Sequence, residues 1–227
     1  MLDILGRRNF IVKITLASLG CFSLGTSCSR KEKKSDYNPE RQDISEFKNK
    51  VSENLQMPED LVMKLLDQKV EKYMHISFNC AQSSFLALKE QFALKENGIV
   101  KALTPLTGIA ERGETCGAVI GPLMVFGLLY GRDENSLGDW EIYRSSLVPS
   151  GEFCRRFEKK FGSTSCHRIQ DKQFGKCYQL TNPAELREFQ ENGATEKCTE
   201  VVKKAVRIAA KIILDKERKS DALKNIH

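Results

Sequence analysis

The stretch Cys116-Gly-Ala-Val-Ile-Gly-Pro-Leu-Met-Val-Phe-Gly-Leu-Leu-Tyr130 decides the fold. From Ala118 to Tyr130 it is the most apolar run beyond the first forty residues, and it is too short for a membrane span, which takes about 20 residues. It reads as a buried central helix. Pro122 should kink that helix or mark its true beginning, because proline cannot donate to the preceding turn. Gly117 and Gly121, four apart, leave backbone bare on one side. That bare side has two uses: close packing of another helix, or approach to sulfur, as a disulfide or a bound cofactor.

Working outward, apolar residues recur at spacings of three and four, as in Leu61, Leu65, Leu66 and Val70 behind Pro58. Further helices are expected over Cys80–Leu94, Ile99–Ile109, Cys116–Tyr130, Leu137–Leu147, Phe153–Phe161 and Cys198–Leu214. No segment alternates apolar and polar residues between turn signals, so the fold class is all-α. Residues 44–217 are expected to form one helical bundle, followed by a charged tail over 218–227. The acidic pairs Asp133 with Glu134 and Asp139 with Glu141, near Gly138, read as caps and solvated loop.

The first 28 residues read as a targeting segment. Arg7 and Arg8 precede Phe10 and Ile11 and the apolar run Ile14 to Leu24, an order that resembles a twin-arginine signal; a Sec signal is the alternative. Leu24 to Ser29 resembles a lipoprotein processing site in which Cys28 becomes acylated and anchors the chain to a membrane. Residues 29–43 are almost wholly polar and read as a tether. The expected setting is outside the bacterial cytoplasm, in the periplasm or on a membrane facing it. The formal charge of +6 falls to +4 without the first 27 residues, and lysines alternate with glutamates, so no nucleic-acid partner is expected.

The chain has eight cysteines, none in CxxC spacing. Cys80 follows Asn79, a good N-cap, with Gln82 placed to close a capping box. Cys116 heads the apolar helix, Cys166 lies three after Ser163, and Cys198 lies three after Thr195. Four thiols would thus sit at helix N-termini, where partial positive charge favours the thiolate that attacks disulfides and binds metals. Burial is the competing reading, above all for Cys198, which continues a core face through Val201, Val202, Ala205, Ile208, Ala209 and Ile212. His167 adjoins Cys166 in sequence only, since helix neighbours point about 100° apart, and it reads as a surface histidine.

Cys80 in Asn-Cys-Ala-Gln, the CGAxxG element at Cys116, Cys166 after Phe161 and Gly162, and Cys198 before its apolar helix resemble, in order and spacing, the C_GCAxxG_C_C family of small redox-active proteins. The likeness covers roughly Val70 to Leu214. It implies a redox role, and an extracytoplasmic setting for members that carry a signal, without naming a reaction. Cys154 and Cys177 fall outside the family positions, and a structural disulfide between them is the expectation.

Three functions remain open from the residues. The first is a dithiol/disulfide redox protein, a possible thiol oxidoreductase, in which two or more of Cys80, Cys116, Cys166 and Cys198 cycle. The second is a metal or iron–sulfur electron-transfer module with the same four cysteines as ligands. The third is a non-catalytic adaptor, stapled by disulfides, that binds an oxidoreductase or another membrane complex.

Overall fold

The computed structural model describes residues 44–95 and 98–224. The targeting segment with Cys28, and the tether, lie outside the described residues. The helices are α1 (Ile44–Gln56), α2 (Glu59–Ser77), α3 (Cys80–Phe92), α4 (Gly98–Ala102), a 3-10 turn (Thr104–Leu106), α5 (Gly108–Glu111), α6 (Gly117–Tyr130), α7 (Trp140–Phe161), α8 (Cys166–Phe174), α9 (Pro183–Glu191) and α10 (Ala194–Lys224). Among the described residues the fold is all-α, with one isolated antiparallel bridge between Thr115 and Ser165.

α3 is the hub, packed against α2, α6 and α10, while α7 closes over α6 and α10. Phe85, Leu88 and Phe92 of α3, Val125 and Phe126 of α6, and Val202, Ala205, Val206, Ala209 and Ile213 of α10 have no exposed surface. Burying a large apolar side chain contributes about 1.5–3 kcal/mol, so this stack is the main source of stability. Phe126 meets Phe153 of α7 edge-on at 5.9 Å, and Phe157 continues the row. Asn54 ties α1 to α3: its side chain donates to the Gln91 carbonyl at 3.1 Å and accepts from Gln91 Nε2 at 2.6 Å. A second, smaller cluster gathers Tyr178, Phe189 and Ala194, and Cys198 packs against both clusters.

Several expected elements are redrawn. α6 neither starts at Pro122 nor stops there; it begins at Gly117 and runs through the proline. The two helices expected over Leu137–Leu147 and Phe153–Phe161 are one, α7, passing through buried Pro149. Asp139 caps it by accepting from Glu141 N at 2.8 Å and Ile142 N at 3.0 Å. Near Pro149, Ser146 and Ser150 donate to carbonyls of the preceding turn. The helix expected over Ile99–Ile109 is broken. Beyond the 3-10 turn that holds Pro105 the chain turns left-handed at Gly108, Ile109, Ala110 and Glu111, with φ of 57°, 50°, 55° and 60°. α10 continues to Lys224, so the tail expected from residue 218 is helical to that point. α1 and α9 were not among the expected helices, although Asn182 before Pro183 is a cap signal, and its side chain accepts from Ala184 N at 2.9 Å.

Candidate functional site

α2 ends at Phe78, which takes left-handed backbone (φ 48°), and α3 starts two residues later at Cys80. Asn79 caps α3 as expected, accepting from Gln82 N at 2.9 Å. The reciprocal half of the capping box does not form. Gln82 Nε2 instead donates to Val100 O at 2.9 Å and Thr104 Oγ1 at 3.0 Å, while Asn79 Oδ1 accepts from Thr107 Oγ1 at 2.8 Å. The head of α3 is thereby fastened to the broken segment that precedes α6.

α6 crosses α3 at its two glycines. A Cβ on Gly117 would stand 2.5 Å from Ala81 N and 3.0 Å from Cys80 Cβ; one on Gly121 would stand 2.0 Å from Ser84 Oγ and 2.8 Å from Ala81 O. The bare side is filled by α3, which corrects the expectation that Gly117 and Gly121 face a cofactor. They are close-packing residues that seat Cys80 against the start of α6.

Cys116 and Cys166 are set by main-chain bonds across the Thr115–Ser165 bridge. Cys116 N donates to Thr164 O at 2.8 Å, and Cys166 N donates to Glu114 O at 2.6 Å. His167 N donates to Gly113 O at 2.9 Å. His167 is therefore not a surface histidine: it is half-buried, its ring fills the space beside Gly113, and its Nε2 is buried without a partner. Cys80 and Cys166 are the first residues of α3 and α8, Cys116 caps α6, and Cys198 is the fifth residue of α10, one turn deeper than expected.

The four thiols act on one another two by two. The Cys198 thiol, by a side-chain hydrogen-bonding interaction, and then burial push the Cys80 thiol well up. Cys166, in the same way, and then burial push Cys116 well up. The converse holds for Cys166: its interaction with Cys116 and the Gln170 Nε2 donor at 3.5 Å hold it below the ordinary thiol range, although burial opposes this. Cys80 also feels the charge of Cys166, and Cys116 that of Cys80, so the pairs adjoin. The uniform thiolate bias expected from four helix ends is thus replaced by an ordering, in which Cys166 is low while buried Cys80 and Cys116 are high.

Cys80, Cys166 and Cys198 line a cleft of about 500 Å³, and Cys116 lies behind it. Phe78, Leu180, Leu186 and Phe189 give it apolar walls, and of the described residues that line it Glu111 alone carries a charge. Gln170 and Gly108, which sequence reasoning missed, support Cys166. A Cβ on Gly108 would be 3.7 Å from Cys166 Sγ.

Among the described residues no three His, Cys, Asp or Glu side chains stand where they could hold a metal ion, so the four cysteines expected as alternative ligands are not assembled as a ligand set. Cys154 and Cys177 are not paired. Cys154 is half-buried on α7 against the main core, whereas Cys177 is exposed after α8 and donates to His167 O at 3.2 Å. No helix among the described residues is long and apolar enough to cross a membrane.

Residues 78–212 match the family model described as "Putative redox-active protein (C_GCAxxG_C_C)". No curated protein and no solved structure matches the chain.

Proposed function

Because the chain belongs to the C_GCAxxG_C_C family of redox-active proteins, we propose that it is a dithiol/disulfide exchange protein that works through Cys166 and Cys116. The observation that carries this reading is the unequal pair: a half-buried Cys166 at the cleft, held below the ordinary thiol range, backed by a buried Cys116 held above it. Cys166 thiolate attacks one sulfur of a substrate disulfide, forming a mixed disulfide and expelling the other half as a thiolate, which takes a proton from water. Cys116 then loses its proton and attacks Cys166 Sγ. The Cys116–Cys166 bond forms, the mixed bond breaks, and the second half of the substrate leaves and is protonated. Two electrons pass from the protein to the substrate, and the steps reverse when the substrate is a dithiol. The setting we propose is outside the cytoplasm, with Cys28 acylated as a membrane anchor and an oxidoreductase or membrane complex as partner, on the strength of Arg7, Arg8 and the Leu24 to Ser29 stretch.

The test uses an aromatic chromogenic disulfide as substrate. Cys116→Ser should trap the aromatic thiol on Cys166, seen as a mass increment on the peptide that contains it, with helical circular dichroism unchanged. Cys166→Ser should lower the rate of release at least tenfold. Equal rates for Cys166→Ser and the unaltered chain would overturn the reading.

A further inference from the structure

We infer that Cys80 and Cys198 form a second dithiol that re-reduces the Cys116–Cys166 disulfide inside the molecule, so that one reduced chain delivers four electrons through one cleft. This rests on the exchange reading above and deepens it.

The placement carries it. Each pair has a buried member, Cys80 or Cys116, and a half-buried one, Cys198 or Cys166. Cys80, Cys166 and Cys198 open onto the same cleft. Cys80 is the joint between the pairs, because the glycine after Cys116 lets α6 come within 3.0 Å of Cys80 Cβ, measured from the position a side chain would take. Cys198 sits where the two hydrophobic clusters meet. No disulfide constrains any of these sulfurs.

The chemistry balances without an outside reagent. Starting from the Cys116–Cys166 disulfide, Cys80 gives up its proton and attacks Cys116 Sγ; the Cys80–Cys116 bond forms, and Cys166 leaves with the electron pair as thiolate. Cys198 then gives up its proton and attacks Cys80 Sγ. The Cys80–Cys198 bond forms, and Cys116 leaves with the electron pair and takes a proton. One dithiol is oxidised and one disulfide reduced. The direction follows from the leaving group: a pair whose thiolate is stabilised is favoured in its reduced form, and Cys166 is the stabilised member.

The full chain, equilibrated in dithiothreitol buffers of stepped potential, acid-quenched and alkylated, has its disulfides located by mass spectrometry. The Cys80–Cys198 disulfide should appear at more reducing potentials than the Cys116–Cys166 disulfide, and the most oxidised chain should hold both. Free Cys80 and Cys198 in a chain whose Cys116–Cys166 bond is complete would overturn the relay and leave the exchange reading standing. Absence of the Cys116–Cys166 bond at every potential would overturn both. Cys198→Ser gives a second readout: after one equivalent of aromatic disulfide the unaltered chain should carry the Cys80–Cys198 bond and the variant the Cys116–Cys166 bond, and a Cys116–Cys166 bond in both would also overturn the relay.

Discussion

Where α3 crosses α6, glycines let two regular helices touch. Where the chain bends back over Cys166, the backbone is left-handed at Ile109, Ala110 and Glu111, none of them glycine. Both regions hold cysteines, and they strain in opposite senses. At the crossing a side chain would not fit; at the turn the side chains fit, but the backbone disfavours them by roughly 1–2 kcal/mol per residue. The first region is rigid because it is full. The second is held in place from outside, by Asn79 and Gln82 reaching to Thr104 and Thr107.

The sharpest way to break this contrast is to exchange residue types in the two regions. Gly121→Ala should cost about 3 kcal/mol in urea unfolding, the upper range for overpacking, because Phe85 N and Ala81 O are backbone atoms that cannot rotate away. A change below about 1 kcal/mol would mean that the helices slide apart easily. Next in size is the effect of alkaline pH on the reduced chain. Cys80 and Cys116 are raised in the folded state, so their contribution is whole below the unfolded thiol value, near 8.5, and is lost as pH rises from there toward the folded values. Each should steepen the loss by up to about 1.4 kcal/mol per pH unit, and Cys80→Ala should flatten the slope measured by urea titration at stepped pH. Cys166, lowered, acts in the opposite sense. The smallest effect expected is Ile109→Gly, which should stabilise by about 1 kcal/mol in the same assay by relieving the left-handed backbone, with the alkylation rate of Cys166 unchanged.

The contrast also explains what could be read from the sequence. The start of α3 and the bare glycine side of α6 were legible because their signals are local: Asn79 ahead of Cys80, an apolar run, and glycines four apart; that α3 fills that side was not. Nor was the turn. Ile109 and Ala110 have no preference for left-handed backbone, and the contacts that impose it come from α3, about 25 residues away (Asn79 to Thr104). The same reason hid the true partners of Gln82, whose position predicted a local box that distant acceptors outcompeted. Pro122 misled, since it lies inside a helix that packing holds together around a missing hydrogen bond, and Pro149, which the sequence reading passed over, does the same in α7. Which cysteine is low and which are high was also out of reach, since helix position treats all four alike and the difference comes from sulfur neighbours brought together by the fold.

The Thr115–Ser165 bridge carries one more implication. Its main-chain bonds run from Cys116 to Thr164 and from Cys166 to Glu114, and the Ser165 hydroxyl adds one to Gly113 O at 3.1 Å. The letters at Glu114, Thr115 and Thr164 can therefore drift with little harm to the alignment of the two thiols, whereas a single residue inserted or lost beside either one would slip the pairing by a step and swing its sulfur to the far face. In this protein the arithmetic of chain length guards the thiols more strictly than the identity of the residues beside them.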